Sequence, residues 1–368
     1  MMPAVIVLPL ALRPMTPTTL PDEPLTIEEL QLAARNRGMP LEALRYDVTP
    51  TGLHYLLVHF DIPYIDAGTW RLEIGGAVAQ PLTLSLDEIR ALPQQTIRVT
   101  MECAGNGRAR FTPRPLSQPW LYEAIGTADW TGTPVWPLLE RAGISDDAVE
   151  VVFTGADHGT QGDVEHDYAR SLTLAELRRP EVLLVHAMNG QALEPQHGFP
   201  LRLLVPGWYG ITSVKWLKSI AAVREPFDGY QQGTAYRYQV DDDDPGQPVD
   251  RIRVRALMVP PGVPDFFSRH RIVDAGETQI VGRAWSGVAP VTSVEVGVDG
   301  EWSEAQLDPR ATEFAWQAWR FTWQAERGEH VVACRATDGA GNVQPLDQQW
   351  NTQGMGNNSV QTVAVTVR

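Results

Sequence analysis

The segment Val99-Thr100-Met101-Glu102-Cys103-Ala104-Gly105-Asn106-Gly107-Arg108 runs a β-type stretch into a Gly/Asn-rich turn, with one of only two cysteines at the junction. Three arginines follow, Arg108, Arg110 and Arg114, and no acid lies between Glu102 and Glu123. Nearby cations stabilise a thiolate, and a thiolate is the soft ligand that suits a soft or high-valent metal. The same arginines suit an anionic substrate or a phosphate. Taken alone, Cys103 reads first as a small buried hydrophobe in a strand-to-loop turn; only its surroundings argue for ligation.

Those surroundings are globular. The chain has 368 residues, 43% hydrophobic and 20% charged, enough for two domains with sizeable cores. No apolar run reaches the ~18 residues of a spanning helix. The second cysteine, Cys334, sits in an alternating strand pattern and reads as a buried structural thiol; two distant cysteines make no disulfide framework. Such cysteine usage suits a reducing compartment, and a cytoplasmic location is expected. The N-terminal stretch is apolar but short, broken by Pro9 and without a basic or twin-arginine start, so it reads as an extension, not a leader. A net charge of −15 argues against nucleic acid or an anionic membrane as partner.

Working outward along the chain, residues 1–45 read as a Pro/Thr-rich arm and a short helix, with Thr26 as N-cap and Glu29 closing a capping box. Residues 46–245 carry mixed signals. Strands are expected over 54–60, 70–74, 96–101, 149–155 and 182–187. Helices are expected over 85–92, 135–142 and 171–178, with Ser171 or Thr173 capping the last. The acid- and Pro/Gly-rich stretch 241–248 reads as a linker. Residues 246–368 are almost all short strand-like runs, with Asp299-Gly300 as a hairpin signal. The expected fold class is α+β, followed by an immunoglobulin-like β-sandwich without the inter-sheet cysteine pair.

Cys103-Ala104-Gly105-Asn106-Gly107-Arg108 resembles the molybdenum-ligand loop of the sulfite oxidase family, which also contains the eukaryotic assimilatory nitrate reductases. His197-Gly198-Phe199-Pro200-Leu201-Arg202, with Val205-Pro206-Gly207 and Val214-Lys215-Trp216-Leu217, resembles that family's second pterin-binding stretch. Gly282-Arg283-Ala284-Trp285-Ser286-Gly287, then Asn342-Val343-Gln344-Pro345 and Trp350-Asn351, resemble its C-terminal dimerisation domain. The resemblance runs from about Tyr46 to the C-terminus.

It implies one Mo-molybdopterin per chain, with Cys103 as the protein's metal ligand. It also implies cofactor contacts from Tyr55, His59, Asp157, His197, Arg202, Ser213 and Lys215, and substrate contacts from Arg108 and Tyr236. Arginine and lysine suit the pterin phosphate and ring carbonyls. His158 and His166 stay unassigned; a His/Asp metal site there lacks zinc-motif spacing.

Two departures bear on substrate. Where sulfite-oxidising members carry arginines, this chain has Leu57 and Gln353, and Gly354-Met355-Gly356-Asn357-Asn358 is closer to the nitrate reductase branch. The expected activity is therefore sulfite oxidase-like two-electron oxygen-atom transfer, with sulfite itself weakened. Reduction of nitrate or of an S- or N-oxide is the alternative, and a non-catalytic two-domain binding protein the second. Without haem, flavin or iron–sulfur motifs, the expected partners are a small oxyanion or S-/N-oxide substrate, a separate electron carrier such as a cytochrome, and a second copy in a homodimer. No nucleic-acid or membrane partner is expected.

Overall fold

The structure is a computed structural model that describes residues 24–368; the apolar start and most of the Pro/Thr arm lie outside them. Strands dominate. The longest α-helix among the described residues is Ile27–Arg35, of 9 residues, closed by the Thr26–Glu29 capping box. The helical part of the α+β expectation thus shrinks to short connectors, because most apolar positions alternate and so belong on sheet faces.

Two sheets build the first half. One has the order Leu82–Leu84, Leu72–Gly76, Leu217–Val223, Glu150–Gln161, Val164–Thr173; the pair Leu72–Gly76 and Leu217–Val223 is parallel. The other runs Gln95–Glu102, Ile125–Pro134, Leu183–Met188, Gln191–Ala192, with Arg202–Leu204 also paired to Leu183–Met188. Helices Leu86–Arg90 and Trp136–Ala142 add to the buried face around Leu72, Ile74, Phe153 and Ile220.

Two expected elements differ. Residues 54–60 form no strand; a single bridge joins Leu56 to Arg37. Their main-chain groups are taken by side chains instead: Asn36 Oδ1 accepts from Val58 N at 2.8 Å, and Lys215 donates to Leu57 O at 2.7 Å. A backbone satisfied this way has no need of a ladder. Ser171 lies in the strand Val164–Thr173, and only Leu174–Leu177 is helical, capped by Thr173.

The second half holds two sheets around one core. Arg255–Met258, Gly276–Trp285, Gln317–Ala325 and Gln306–Leu307 form one. Val263–Pro264, Arg271–Val273, Gln361–Val367, Gly328–Asp338, Val291–Val298 and Glu301–Glu304 form the other. Cys334 is buried between them with Val294, Trp319 and Val365, as a structural thiol should be. Asp299 and Gly300 both have positive φ, 52° and 97°, and join Val291–Val298 to Glu301–Glu304. That is the primed turn whose twist matches a hairpin.

The halves are cemented by a shared apolar cluster containing Ala104, Tyr209, Tyr236, Leu257, Trp285, Trp316 and Met355. Full burial of a side chain such as Leu257 contributes about 1.5–3 kcal/mol. Phe314 O also accepts from Thr100 N at 2.8 Å, and Thr100 Oγ1 from Trp316 N at 2.6 Å, so the C-terminal half edges the strand leading to Cys103.

Candidate active site

Strand Gln95–Glu102 is buried along its last four residues and delivers Cys103 to the bottom of a cleft. Cys103 N donates to Ala124 O at 2.9 Å, and Cys103 O accepts from Asn106 N at 3.0 Å. The Asn106 side chain locks the turn, donating to Glu102 Oε1 at 2.9 Å and accepting from Ala124 N at 3.1 Å. Two glycines are required here. Gly107 has φ +91° with Asn357 packed on it, and a Cβ on Gly105 would sit 2.6 Å from the Arg108 guanidinium. Burial raises the Cys103 thiol's pKa, while the Arg108 cation opposes that rise.

Two cavities meet at Cys103. The first is walled by Tyr55, His59, Asp157, His197, Arg202, Ser213, Lys215 and Tyr236, so with Cys103 it gathers every residue expected to contact cofactor or substrate except Arg108. Arg108 lines the second, which shares Cys103, Leu57, His59 and Tyr236 with the first.

The first cavity is lined by groups with unfilled hydrogen-bonding capacity. Among the described residues that line it, Asp157 Oδ1, His197 Nε2, His54 Nε2 and Arg202 Nε are buried without a partner. Such atoms are costly unless something fills the space. Arg202 lies 5.1 Å over the Trp130 ring and donates to His197 O at 3.1 Å and Ser213 O at 3.0 Å. The Ser213 hydroxyl accepts from Val205 N at 3.1 Å, leaving its proton for another partner. Lys215 Nζ lies 4.1 Å over Trp216 and donates to Leu57 O and Gln196 O.

Burial sets the electrostatics. It pushes His54 and His59 down to about 4 and His197 lower still, so all three imidazoles are neutral at pH 7. Burial lowers Lys215, reinforced by the Arg202 cation, and raises Asp157. Tyr236 is pushed up to about 12 by burial and keeps its phenolic proton.

Some participants were not singled out in the sequence. His54 lies in the first cavity, 5.7 Å from His197 in an edge-on contact. Arg170, 5.9 Å over the Tyr236 ring, is buried with its Nε unpaired; an arginine set among the apolar positions of Tyr168–Leu172 was the available signal. Glu102 is held by Arg255 and, at 2.8 Å, by Trp285 Nε1. His158 stands apart, paired with Glu165 and Asp167 at 2.9 Å each, and His166 packs against Tyr230. No cluster among the described residues is arranged to hold a metal through His, Asp and Glu.

Residues 59–231 match the family described as oxidoreductase molybdopterin binding domain, and residues 250–368 that described as Mo-co oxidoreductase dimerisation domain. Mitochondrial sulfite oxidase of Mus musculus is 34% identical over 346 residues, spanning 87% of this chain and 62% of that protein. Sulfite oxidase of Gallus gallus is 30% identical over 334 residues, 84% of this chain and 71% of that one. A nitrate reductase [NADH] of Oryza sativa subsp. japonica is 30% identical over 353 residues but is covered over only 38% of its length. The sulfane dehydrogenase SoxCD of Paracoccus pantotrophus superposes with a TM-score of 0.76 at 24% identity, over 90% of this chain and 86% of that one, and so shares the fold. The chain thus spans about 62% of the length of the mammalian relatives it matches. Among the described residues, no helix is long and apolar enough to cross a membrane.

Proposed function

Because the chain belongs to the sulfite oxidase family of molybdopterin-dependent oxidoreductases, we propose that it catalyses a two-electron oxygen-atom transfer of sulfite oxidase type. The observation that carries this is the first cavity: a buried thiol at one end, two buried cations beside it, and unpaired polar atoms along its wall. That donor set fits Mo-molybdopterin. Cys103 would supply the thiolate to the metal, and Arg202, Lys215 and Ser213 would meet the phosphate. Asp157, His197, Tyr55 and His59 would meet the pterin ring edges. When bound, the cofactor supplies the redox step itself, and the protein supplies position and field.

The chain's own residues divide the remaining work. Arg108 holds the substrate's oxygen side, since its Nε and Nη1 are fixed on Gln353 O and Gln118 O at 2.9 and 3.1 Å. Tyr236, kept protonated by burial, donates a hydrogen bond to a substrate oxygen beside Cys103. Met355, Trp120 and Leu57 limit water around that point.

Residues 46–245 act as the catalytic unit and 246–368 as an immunoglobulin-like unit that pairs two chains about a two-fold axis. Electrons pass to or from a separate carrier such as a cytochrome. Two buried, unpaired cysteines suit a cytoplasmic location. The test is metal and pterin analysis of protein made in a cofactor-competent host. About one Mo per chain is expected, and a metal-free product from such a host would overturn the proposal.

A further inference from the structure

A third cavity, of ≈ 670 Å³, lies at the seam of the two halves and shares no wall residue with the two that meet at Cys103. Sites for organic ligands span about 300–1,000 Å³. Residues 40–42 and 121–123 of the first half and 260, 267–271 and 361–364 of the second supply its walls, with Arg110. Phe267 stands at its rim, 91% exposed, edge-on to Phe266 at 4.9 Å. The turn that carries this pair is closed, since Asp265 Oδ1 accepts from Ser268 N at 2.8 Å and from Ser268 Oγ at 2.7 Å. An exposed aromatic pair on a fixed turn is surface held ready for an apolar contact.

The polar group in the cavity is specific. Arg110 lies 4.5 Å over the Tyr122 ring, and its Nε and Nη2 are buried without a partner. Those two nitrogens form the edge of a guanidinium that takes both oxygens of a carboxylate. The chain uses that same edge three times, in Arg98 on Asp129, Arg114 on Glu29 and Arg335 on Glu295, at 2.7–3.2 Å. On Arg110 it is unpaired.

The charge balance agrees. Among the described residues that line the cavity, three arginines stand against two carboxylates, in a chain of net charge −15. Glu42 lies 3.8 Å from Arg269. Glu123 Oε2 accepts from Tyr122 N at 2.8 Å, and burial raises its pKa, which makes it a weak counter-charge for Arg110. Arg271 donates to Pro260 O and Pro261 O and brings a further positive charge. A local positive field of this kind gathers anions.

We infer that this cavity is a binding site for an organic carboxylate, separate from the catalytic cleft, with the two oxygens on Arg110 Nε and Nη2 and the apolar body against Tyr122 and Phe267. The site needs neither the cofactor nor turnover, so it stands apart from the oxygen-atom transfer proposed above.

The test is calorimetry on the full chain at constant ionic strength with 2-naphthoate, its neutral isostere 2-naphthamide, and inorganic phosphate. Naphthoate should bind at least about tenfold tighter than either. Arg110→Gln removes a charge that has no partner, so it should fold like the parent and weaken naphthoate by about tenfold or more. Phe267→Ser changes only an exposed ring and should weaken it by about fivefold. Arg108→Gln, in the catalytic cleft, should leave naphthoate binding unchanged. Naphthamide or phosphate binding as tightly as naphthoate overturns the ligand class. Naphthoate binding lost in Arg108→Gln but kept in Arg110→Gln and Phe267→Ser puts the ligand in the cleft and overturns the site. Naphthoate that splits the protein into lighter particles in sedimentation velocity shows a contact between chains in this cavity, and overturns it as well.

Discussion

The carboxylate of Glu102, one residue before Cys103, is held by the guanidinium of Arg255 from the second half of the chain, and both side chains are almost wholly buried. Asn106 and Trp285 complete the carboxylate's hydrogen bonding at 2.9 and 2.8 Å. A carboxylate with three donors is well satisfied, so the pair is a fixed strut between the two halves.

Removing one partner of that strut leaves an unpaired buried charge, at a cost of about 3–5 kcal/mol. Arg255→Leu should therefore lower the thermal midpoint and increase the rate at which a maleimide reaches Cys103. Glu102→Leu with Arg255→Leu should recover much of the midpoint, because the charge goes with its partner. An Arg255→Leu protein as stable and as thiol-protected as the parent would refute the strut.

Cys103→Ser should abolish turnover and leave the fold nearly unchanged, since the side chain is small and lines a cavity. A hydroxyl is a poor match for a soft metal site. Circular dichroism should superpose on the parent's. Full activity in a variant that holds its Mo would sink the assignment of Cys103 as ligand.

His54 and His59 give the cofactor-free protein an acid-sensitive window. Burial depresses both from 6.5 to about 4 in the folded state. The unfolded chain therefore takes up protons first, and stability falls as pH drops from about 6.5 toward 4. It is fully present above 6.5. Thermal midpoints measured across that range should decline on acidification, and His54→Gln should make the decline shallower. A flat profile would show that these imidazoles are not buried in their neutral form.

Leu57 and Gln353 line the second cavity together with Arg108, as their places in the sequence led us to expect. Leu57→Arg with Gln353→Arg should lower the sulfite KM by about tenfold or more, each charge-assisted bond being worth roughly 1.5–3 kcal/mol. kcat should move less, because the added contacts act on ground-state binding. Steady-state sulfite oxidation with ferricyanide, normalised to Mo, measures both. An unchanged KM in a folded, loaded double variant would remove these positions from the anion's surroundings.

Much of this was visible in the chain because its signals are local. The Cys103 turn, the His197–Arg202 stretch and the Asp299-Gly300 hairpin each carry their geometry in a few adjacent residues. Residues 54–60 misled because β-type composition says nothing about who takes the backbone hydrogen bonds. Asn36 and Lys215 do so, 22 and 158 positions away from the groups they serve. Glu102 gave no signal for the same reason: an acid inside an apolar strand looks like a misfit until Arg255, 153 positions on, is folded against it.

The loop around residues 351–358 closes over the cysteine turn from far down the chain. Arg108 Nε reaches Gln353 O across 245 positions, Asn357 Nδ2 reaches Gly107 O across 250, and Gly356 N donates to Ala104 O at 2.7 Å. During synthesis Cys103 leaves the ribosome long before these partners exist. The nascent first half thus carries an unfinished pocket until residues 351–358 have been made and folded back onto it.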